Sequence, residues 1–172
     1  MRDYIIMTDS CCDLSQQEVE ELELTVLPLS FTIEGKTLLN TPDHADMSPE
    51  EFFAKIAAGA DCTTAAVNVG QFTDAMEKVL QGKDILCISF SSALSTTYQS
   101  ACIAAEDLRE KYPEAKILVI DSLSASRGQG MLLYRAVRER REKNLTIDEL
   151  DAYVRSIIQS QCHWFIVDDL NH

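Results

Sequence analysis

Long apolar runs and basic residues are both scarce in this sequence. It contains no stretch of about 18 apolar residues and no apolar segment of a signal peptide, so neither a membrane span nor export is predicted. Only 15 lysines and arginines stand against 28 aspartates and glutamates in 172 residues, which gives a formal net charge of −13. A nucleic-acid backbone or an anionic membrane requires a basic patch on its partner, and this composition argues against both. The sequence therefore predicts an acidic cytoplasmic protein whose length fits one domain of ordinary size.

The motifs of several common active and binding sites are also missing. Neither Gly-x-x-x-x-Gly-Lys-Ser/Thr nor Gly-x-Gly-x-x-Gly after a predicted strand is present, so no nucleotide phosphate loop is indicated. The pair Ser91-Ser92 lacks the flanking glycines of a hydrolase nucleophile, and the three histidines do not supply its partner. The six cysteines show no Cys-x-x-Cys and no zinc-ligand spacing. This pattern favours buried thiols in a reducing compartment over a metal site.

Apolar periodicity predicts an α/β fold, with a mainly parallel sheet flanked by helices and a β-hairpin near the N-terminus. Short apolar runs that end in polar residues predict buried strands at residues 4–7, 85–88 and 116–120. Helical spacing and capping residues predict helices at residues 16–24, 49–58, 70–81 and 95–111, one from near 126 and one after 146.

Three further segments complete the predicted order of elements. Residues 26–33 and 36–39 are rich in β-forming side chains and flank Glu34-Gly35, a two-residue link that is typical of a hairpin. Residues 61–69 have no helical period and are predicted to form a loop rich in hydroxyl groups. Residues 164–167 are predicted to form a last strand.

Hydroxyl and carboxyl groups cluster directly after three of the predicted strands, at residues 8–10, 89–92 and 121–124. Parallel strands joined by helices end at one edge of a sheet, so we expect these clusters to meet there. The same residue types could equally cap the helices that follow. An edge of neutral donors with few acids or bases suits the binding of a polar head group better than its conversion.

Several of these segments together resemble the DegV family of bacterial fatty-acid-binding proteins. The most specific match is residues 91–101, Ser-Ser-Ala-Leu-Ser-Thr-Thr-Tyr-Gln-Ser-Ala, beside the family's Ser-Ser-Gly-Leu-Ser-Gly-Thr-Tyr-Gln-Ser-Ala. The other matching segments are Thr8-Asp9-Ser10 with Asp13-Leu14, Asp121-Ser122 with Ser126, Gly128 and Gly130, and Val167-Asp168-Asp169-Leu170. The resemblance covers essentially the whole chain.

The resemblance implies a carrier that holds one long-chain fatty acid in a tunnel between two domains. Such a protein is not an enzyme and needs no cofactor; it presents the carboxylate to a separate ATP-dependent fatty acid kinase, which makes an acyl phosphate. The positions that match the family's carboxylate ligands are Thr64 and Ser92. Nearby hydroxyls of the polar segments are secondary candidates, namely Thr63, Ser91, Ser10 and Ser122.

This chain departs from the family pattern in three places. Residues 64–68 read Thr-Ala-Ala-Val-Asn where the family usually has Thr-Ser-Gln-Pro-Ser. Ala93 and Thr96 replace two glycines, which adopt positive φ more cheaply. Family members also continue beyond residue 172, so the resemblance describes a truncated chain, with residues 1–160 as the N-terminal domain and 161–172 as the start of a second. We expect the acyl channel to be open along one side, as an exposed apolar groove or one covered in a homodimer.

Two other functions are compatible with the sequence. One is a small-molecule enzyme that uses Asp9, Ser92 and Asp121 at the sheet edge. The other is an interaction module in which the open groove serves as a subunit interface.

Overall fold

The structure is a computed structural model, and it describes residues 2–164 and 166. Strands and helices largely alternate along the chain, as the sequence predicts. In chain order the elements are β1 (Tyr4–Asp9), α1 (Gln16–Glu21), β2 (Leu24–Leu27), β3 (Leu29–Ile33), β4 (Lys36–Asn40), α2 (Pro49–Ala57), β5 (Cys62–Ala65), α3 (Val69–Leu80), β6 (Asp84–Ser89), α4 (Thr97–Lys111), β7 (Ile117–Asp121), α5 (Ser126–Lys143) and α6 (Ile147–Ile158).

The main sheet is parallel throughout, with the strand order β2-β1-β6-β7. Alternate residues of each strand point to opposite faces, and both faces are covered. On one face Ile6, Leu86 and Ile88 pack against α5 and α6, while on the other Met7 and Cys87 pack against α3 and α4. All six residues of β6 are buried as a result. The predicted α/β class with a mainly parallel sheet is confirmed.

A second, antiparallel sheet has the order β4-β3-β5. The predicted hairpin is confirmed, and its link has positive φ at both Glu34 (50°) and Gly35 (76°), as a two-residue hairpin turn requires. The run 26–33 is divided at Pro28, because β2 pairs with β1 in the main sheet whereas β3 starts the second sheet.

The prediction of a loop across residues 61–69 is wrong for its first half. Residues Cys62–Ala65 form β5, which pairs antiparallel with β3. This segment is too short and too polar to show strand periodicity in the sequence. It becomes a strand because β3 offers it an unpaired edge, which is a tertiary effect.

The predicted helices are all present, and α1, α2, α3 and α6 begin at side-chain caps. Ser15 and Glu18 form the predicted capping box of α1, and Ser48 with Pro49 starts α2. Helix α1 ends before residue 24 because Leu24 pairs with Ile6 in the main sheet. The strand predicted at 164–167 falls partly outside the described residues, and no strand is assigned at the described residues 164 and 166.

Two arginines cover the outer edge of β7, the last strand of the main sheet. The Arg109 guanidinium of α4 donates to the carbonyl oxygen of Ile117, at 2.6 and 3.1 Å. From α6, Arg155 donates to the carbonyl oxygen of Val119 at 3.0 Å. The carbonyl oxygen of Lys116 accepts from the Ile85 amide of β6. Because successive carbonyls of a strand point to opposite sides, those of Ile117 and Val119 point away from β6. Charged groups on an edge strand prevent its pairing with another chain.

We therefore expect the double variant Arg109→Ala/Arg155→Ala to self-associate more than the unmodified chain. Light scattering over a range of concentrations should show an average mass that rises with concentration. The control is Arg135→Ala/Arg138→Ala on α5, which leaves the β7 edge covered. If the two double variants had the same mass at every concentration, the protective role of the edge arginines would be refuted.

Candidate functional site

The three polar clusters predicted at one edge of the main sheet do meet there. Ser89 and Asp121 are directly paired across β6 and β7. The Ser89 hydroxyl donates to Asp9 Oδ2 at 2.9 Å, which joins the ends of β6 and β1. The Ser91 amide donates to the carbonyl oxygen of Ser124 at 3.2 Å. Hydrogen bonds therefore connect the segments that follow β1, β6 and β7.

Asp9 is the buried centre of this edge. Its side chain is fully buried, and each carboxylate oxygen accepts two hydrogen bonds. Oδ2 accepts from the Ser89 hydroxyl and from the Phe90 amide at 2.8 Å, and Oδ1 accepts from the Cys11 amide at 3.2 Å and from Gln129 Nε2 at 3.3 Å. Burial raises the pKa of Asp9, while these hydrogen bonds oppose the shift. A carboxylate enclosed in this way organises the loops and cannot reach a ligand.

Gln129 was not singled out from the sequence, although it belongs to this network. It lies in the first turn of α5, is fully buried, and donates from Nε2 to the Thr8 hydroxyl at 2.9 Å. Thr8 in turn donates to the carbonyl oxygen of Ile88 at 2.7 Å. The signal was present in the helical spacing, because residue 129 shares a face with the inward residues Leu132 and Leu133.

Asp121 connects the two loops at the front of the edge. Its Oδ1 accepts from the backbone amides of Ser92 and Leu123, both at 3.1 Å. Each loop exposes a leucine, with Leu94 66% and Leu123 51% accessible. Asp121 therefore holds the backbone of Ser92 close to that of Leu123.

The six predicted hydroxyls fall into two groups when their hydrogen bonds are compared. Ser10 accepts from the Leu29 amide, Ser91 accepts from the Ala93 amide, and Ser122 donates to the carbonyl oxygen of Ser124. Ser91 and Ser122 thus stabilise their own turns, and Ser10 joins the end of β1 to the start of β3. The hydroxyls of the other three have no hydrogen-bond partner within the described part of the chain, namely Thr63, Thr64 and Ser92.

Thr64 lies on β5 of the second sheet, not in a loop. Thr64 pairs with Phe31 of β3. Two residues before Phe31, the Leu29 amide donates to the Ser10 hydroxyl at 3.0 Å. This bond brings the start of β3 to the edge where β1 ends. Thr63 and Thr64 are adjacent on a strand and point to opposite faces, so only one of them can face the main sheet. No hydrogen bond joins either threonine to Ser92 within residues 2–164.

The elbow between β6 and α4 does not use positive φ at the two positions where glycines are replaced. Within the described residues, Ala93 and Thr96 are not among those with positive φ. The elbow is instead closed by the amides of Leu94 and Ser95, which both donate to the carbonyl oxygen of Ser91. Positive φ occurs in the neighbouring loop, at Leu123 (50°) and Ser126 (51°). A non-glycine residue in this region stores strain, of about 1–2 kcal/mol.

The helices that start at this edge lack the side-chain caps of the other helices. Side chains cap α1, α2, α3 and α6, whereas the N-cap residues Thr96 of α4 and Ala125 of α5 make no such bond. The Ser95 hydroxyl accepts from the first amide of α4, that of Thr97, and is also hydrogen-bonded to the Thr97 hydroxyl. Free amides and the positive end of a helix dipole favour an anion at such a position.

Two clefts lie elsewhere on the surface. One of about 300 Å³ lies between α1 and α5 and includes Leu14, Leu22 and Tyr134, and a shallower one lies beside α2. Neither is lined by any of the six candidate hydroxyls. Across residues 2–164 and 166, no three His, Cys, Asp or Glu side chains are placed to hold a metal, and no helix is long and apolar enough to cross a membrane.

A doubly covered parallel sheet, with polar loops and two helix N-termini without side-chain caps at its carboxyl edge, defines an open α/β fold of the kind that carries ligand sites at that edge. The family model described as "Uncharacterised protein, DegV family" matches residues 4–172. The chain belongs to the DegV family.

One relative is the DegV domain-containing protein CPE0026 of Clostridium perfringens, which is 38% identical over 173 residues, covering 100% of this chain and 59% of the relative. The chain thus spans less than two thirds of the length of this relative.

Solved structures give the same result for the fold. A stearic acid-binding protein from Eubacterium ventriosum superposes with a TM-score of 0.79 and 27% identity, covering 88% of this chain and 52% of that one. A fatty-acid-binding DegV family protein from Thermus thermophilus also has a TM-score of 0.79, with 28% identity over 92% of this chain and 54% of that one. The Fak B3 protein of Streptococcus pneumoniae shares the fold, with a TM-score of 0.73 and 21% identity. The match covers 91% of this chain and 54% of that one.

Proposed function

We propose that this chain binds a long-chain fatty acid, with its carboxylate at the Ser92 hydroxyl and the helix N-termini beside it. The observation that carries the proposal is that Ser92 has a free hydroxyl in an elbow whose neighbouring serine, Ser91, is used for structure. Thr64 supplies a second hydroxyl from the second sheet. Two relatives of known structure that bind fatty acids support the ligand class.

The acyl chain follows the exposed leucines. Asp121 bridges the amides of Ser92 and Leu123, and Leu94 follows Ser92 by two residues. Burying an apolar chain against such side chains contributes about 25 cal/mol per Å². An apolar groove at this place, open along one side, stays a prediction. A homodimer that covers it stays a prediction, for which light scattering with and without fatty acid is the measurement.

We propose the role of a carrier rather than of an enzyme. The one buried acid of the edge, Asp9, is enclosed by four donors and is not accessible to a substrate. In this role the protein presents the carboxylate to a separate cytoplasmic fatty acid kinase, as the family resemblance implies. Ser92 is half-buried and the next two residues, Ala93 and Leu94, are exposed, so a carboxylate bound at Ser92 would be accessible for that step.

The test compares a fatty acid with its methyl ester. We expect native mass spectrometry to show one bound fatty acid per chain, and calorimetry to show binding of oleate. The ester lacks the charge that Ser92 and the helix ends recognise, and we expect about tenfold weaker binding. Equal affinity for acid and ester, or no binding of either, would refute the carboxylate site.

Presentation to the kinase is tested separately. A purified fatty acid kinase should form acyl phosphate from oleate only when this chain, or the longer protein that contains it, is added. Acyl phosphate formed at the same rate without the chain would contradict the carrier role and leave the binding result intact.

A further inference from the structure

One buried side chain ties the first turn of α5 to the end of β1. Gln129 Nε2 donates to the Thr8 hydroxyl at 2.9 Å and to Asp9 Oδ1 at 3.3 Å. The single proton of the Thr8 hydroxyl is donated to the carbonyl oxygen of Ile88, so this hydroxyl can only accept from residue 129. The amide nitrogen of Gln129, not its oxygen, must therefore face Thr8.

This orientation leaves the oxygen of the Gln129 amide unsatisfied. Gln129 is fully buried, and its Oε1 has no hydrogen-bond partner within the described part of the chain. A buried acceptor without a donor lowers the stability of the fold, so stability alone does not explain an amide at this position. What the amide does achieve is to hold the last two residues of β1 with one NH₂ group.

The start of α5 is also bonded to the elbow that carries Ser92. The Ser91 amide donates to the carbonyl oxygen of Ser124 at 3.2 Å, and the next residue, Ala125, is the N-cap of α5. In the same loop, Asp121 Oδ1 accepts from the Ser92 amide at 3.1 Å. The N-terminus of α5 is therefore one residue away from a direct contact with the elbow.

A helix N-terminus acts on an anion only at short range. Helix α5 has 18 residues and no side-chain cap at Ala125, so its dipole and first amides are available to a carboxylate. Their effect falls off within the first turn. The position of this turn relative to Ser92 therefore decides how much α5 contributes to carboxylate binding.

We infer that Gln129 is a positioning residue of the carboxylate site. By holding β1, it keeps the N-terminus of α5 close enough to Ser92 for both to act on one carboxylate. The inference rests on the proposed function, because it takes a fatty-acid carboxylate as the ligand. It deepens that function by assigning part of the preference for a charged head group to a buried residue that acts through α5.

The test replaces Gln129 by methionine, which keeps the length of the side chain and removes its donors and its unpaired acceptor. We expect oleate to bind about threefold more weakly, because this is the typical effect of a helix terminus on an anion, and methyl oleate to bind as before. The midpoint of thermal unfolding should shift by only about 3 °C. Calorimetry with both ligands gives the acid-to-ester affinity ratio, which a purely structural role would leave unchanged. The matched control is Gln81→Met, because Gln81 is exposed at the end of α3, before β6 begins.

A second pair of variants tests the same link from β1. Thr8→Val keeps the shape of the side chain and removes one acceptor of the Gln129 amide, so the affinity ratio should fall in the same direction but less. Thr8→Ser keeps the hydroxyl and should retain the ratio of the unmodified chain. These variants decide the question if Gln129→Met does not fold.

An affinity ratio in Gln129→Met equal to that of Gln81→Met would overturn the assignment of Gln129. So would a fall in the ratio that is as large in Thr8→Ser as in Thr8→Val. Absence of oleate binding by the unmodified chain would instead refute the proposed function.

Discussion

Replacement of Asp9 by alanine is expected to lower the free energy of unfolding by about 3 kcal/mol, because it leaves buried donors without an acceptor. The groups affected include the Ser89 hydroxyl, the Phe90 amide and the Gln129 side chain. For a chain of this length the midpoint of thermal unfolding should fall by roughly 9 °C. Circular dichroism during heating and in urea measures both quantities.

The control for this variant is Asp107→Ala, which removes an exposed aspartate of α4 and should change the stability by less than about 0.5 kcal/mol. Equal stability of the two variants would show that the Asp9 hydrogen bonds do not hold the edge together.

Asp9 also predicts a pH dependence with a definite sign. Burial raises its pKa in the folded protein above the ordinary value of 3.8. Between the unfolded and the folded pKa the native state binds more protons, so stability falls as the pH rises through this window. The stabilising contribution of protonated Asp9 is fully present at a pH below the pKa of the unfolded chain. Asp9→Asn should remove this part of the pH dependence in urea titrations, and an identical pH profile in both proteins would contradict the shift.

Replacement of Ser92 by alanine is the second large effect, and it should weaken fatty-acid binding about tenfold by removing a hydrogen bond to a charged group. The variant should fold normally, because within the described residues the Ser92 hydroxyl supports no other group. Thr64→Val keeps the shape of the side chain and should weaken binding to a similar extent. Calorimetry with oleate gives the affinities.

The effect of Ser92→Ala on binding and stability is compared with that of two other serine variants. Ser122→Ala should lower the stability by about 1 kcal/mol, since its hydroxyl bonds the backbone of Ser124. The exposed Ser156→Ala on α6 should affect neither stability nor binding. If Ser92→Ala bound oleate as tightly as Ser156→Ala does, the carboxylate would not lie at the elbow.

Much of the fold was predictable because the relevant signals are local. Apolar runs predicted β1, β6 and β7, and the caps at Ser15 and Ser48 predicted where two helices begin. The hairpin at Glu34-Gly35 followed from the need for positive φ. Each of these depends on a few adjacent residues and on the backbone preferences of their side chains.

The parts that were missed depend on partners distant in the chain. Strand β5 exists because β3 provides an edge for it, and the Gln129 amide is explained by Thr8 and Asp9, more than a hundred residues away. Neither relation leaves a pattern in the neighbouring residues.

The sequence by itself determined the α/β class and the convergence of three hydroxyl-rich segments at one edge, because parallel strands joined by helices end at the same edge of a sheet. Only the tertiary structure decided which hydroxyls remain free for a ligand. Ser10 is engaged because its bond from the Leu29 amide forms only after the two sheets meet, whereas Ser91 and Ser122 are engaged within their own turns. Among the described residues, no group bonds the Ser92 hydroxyl.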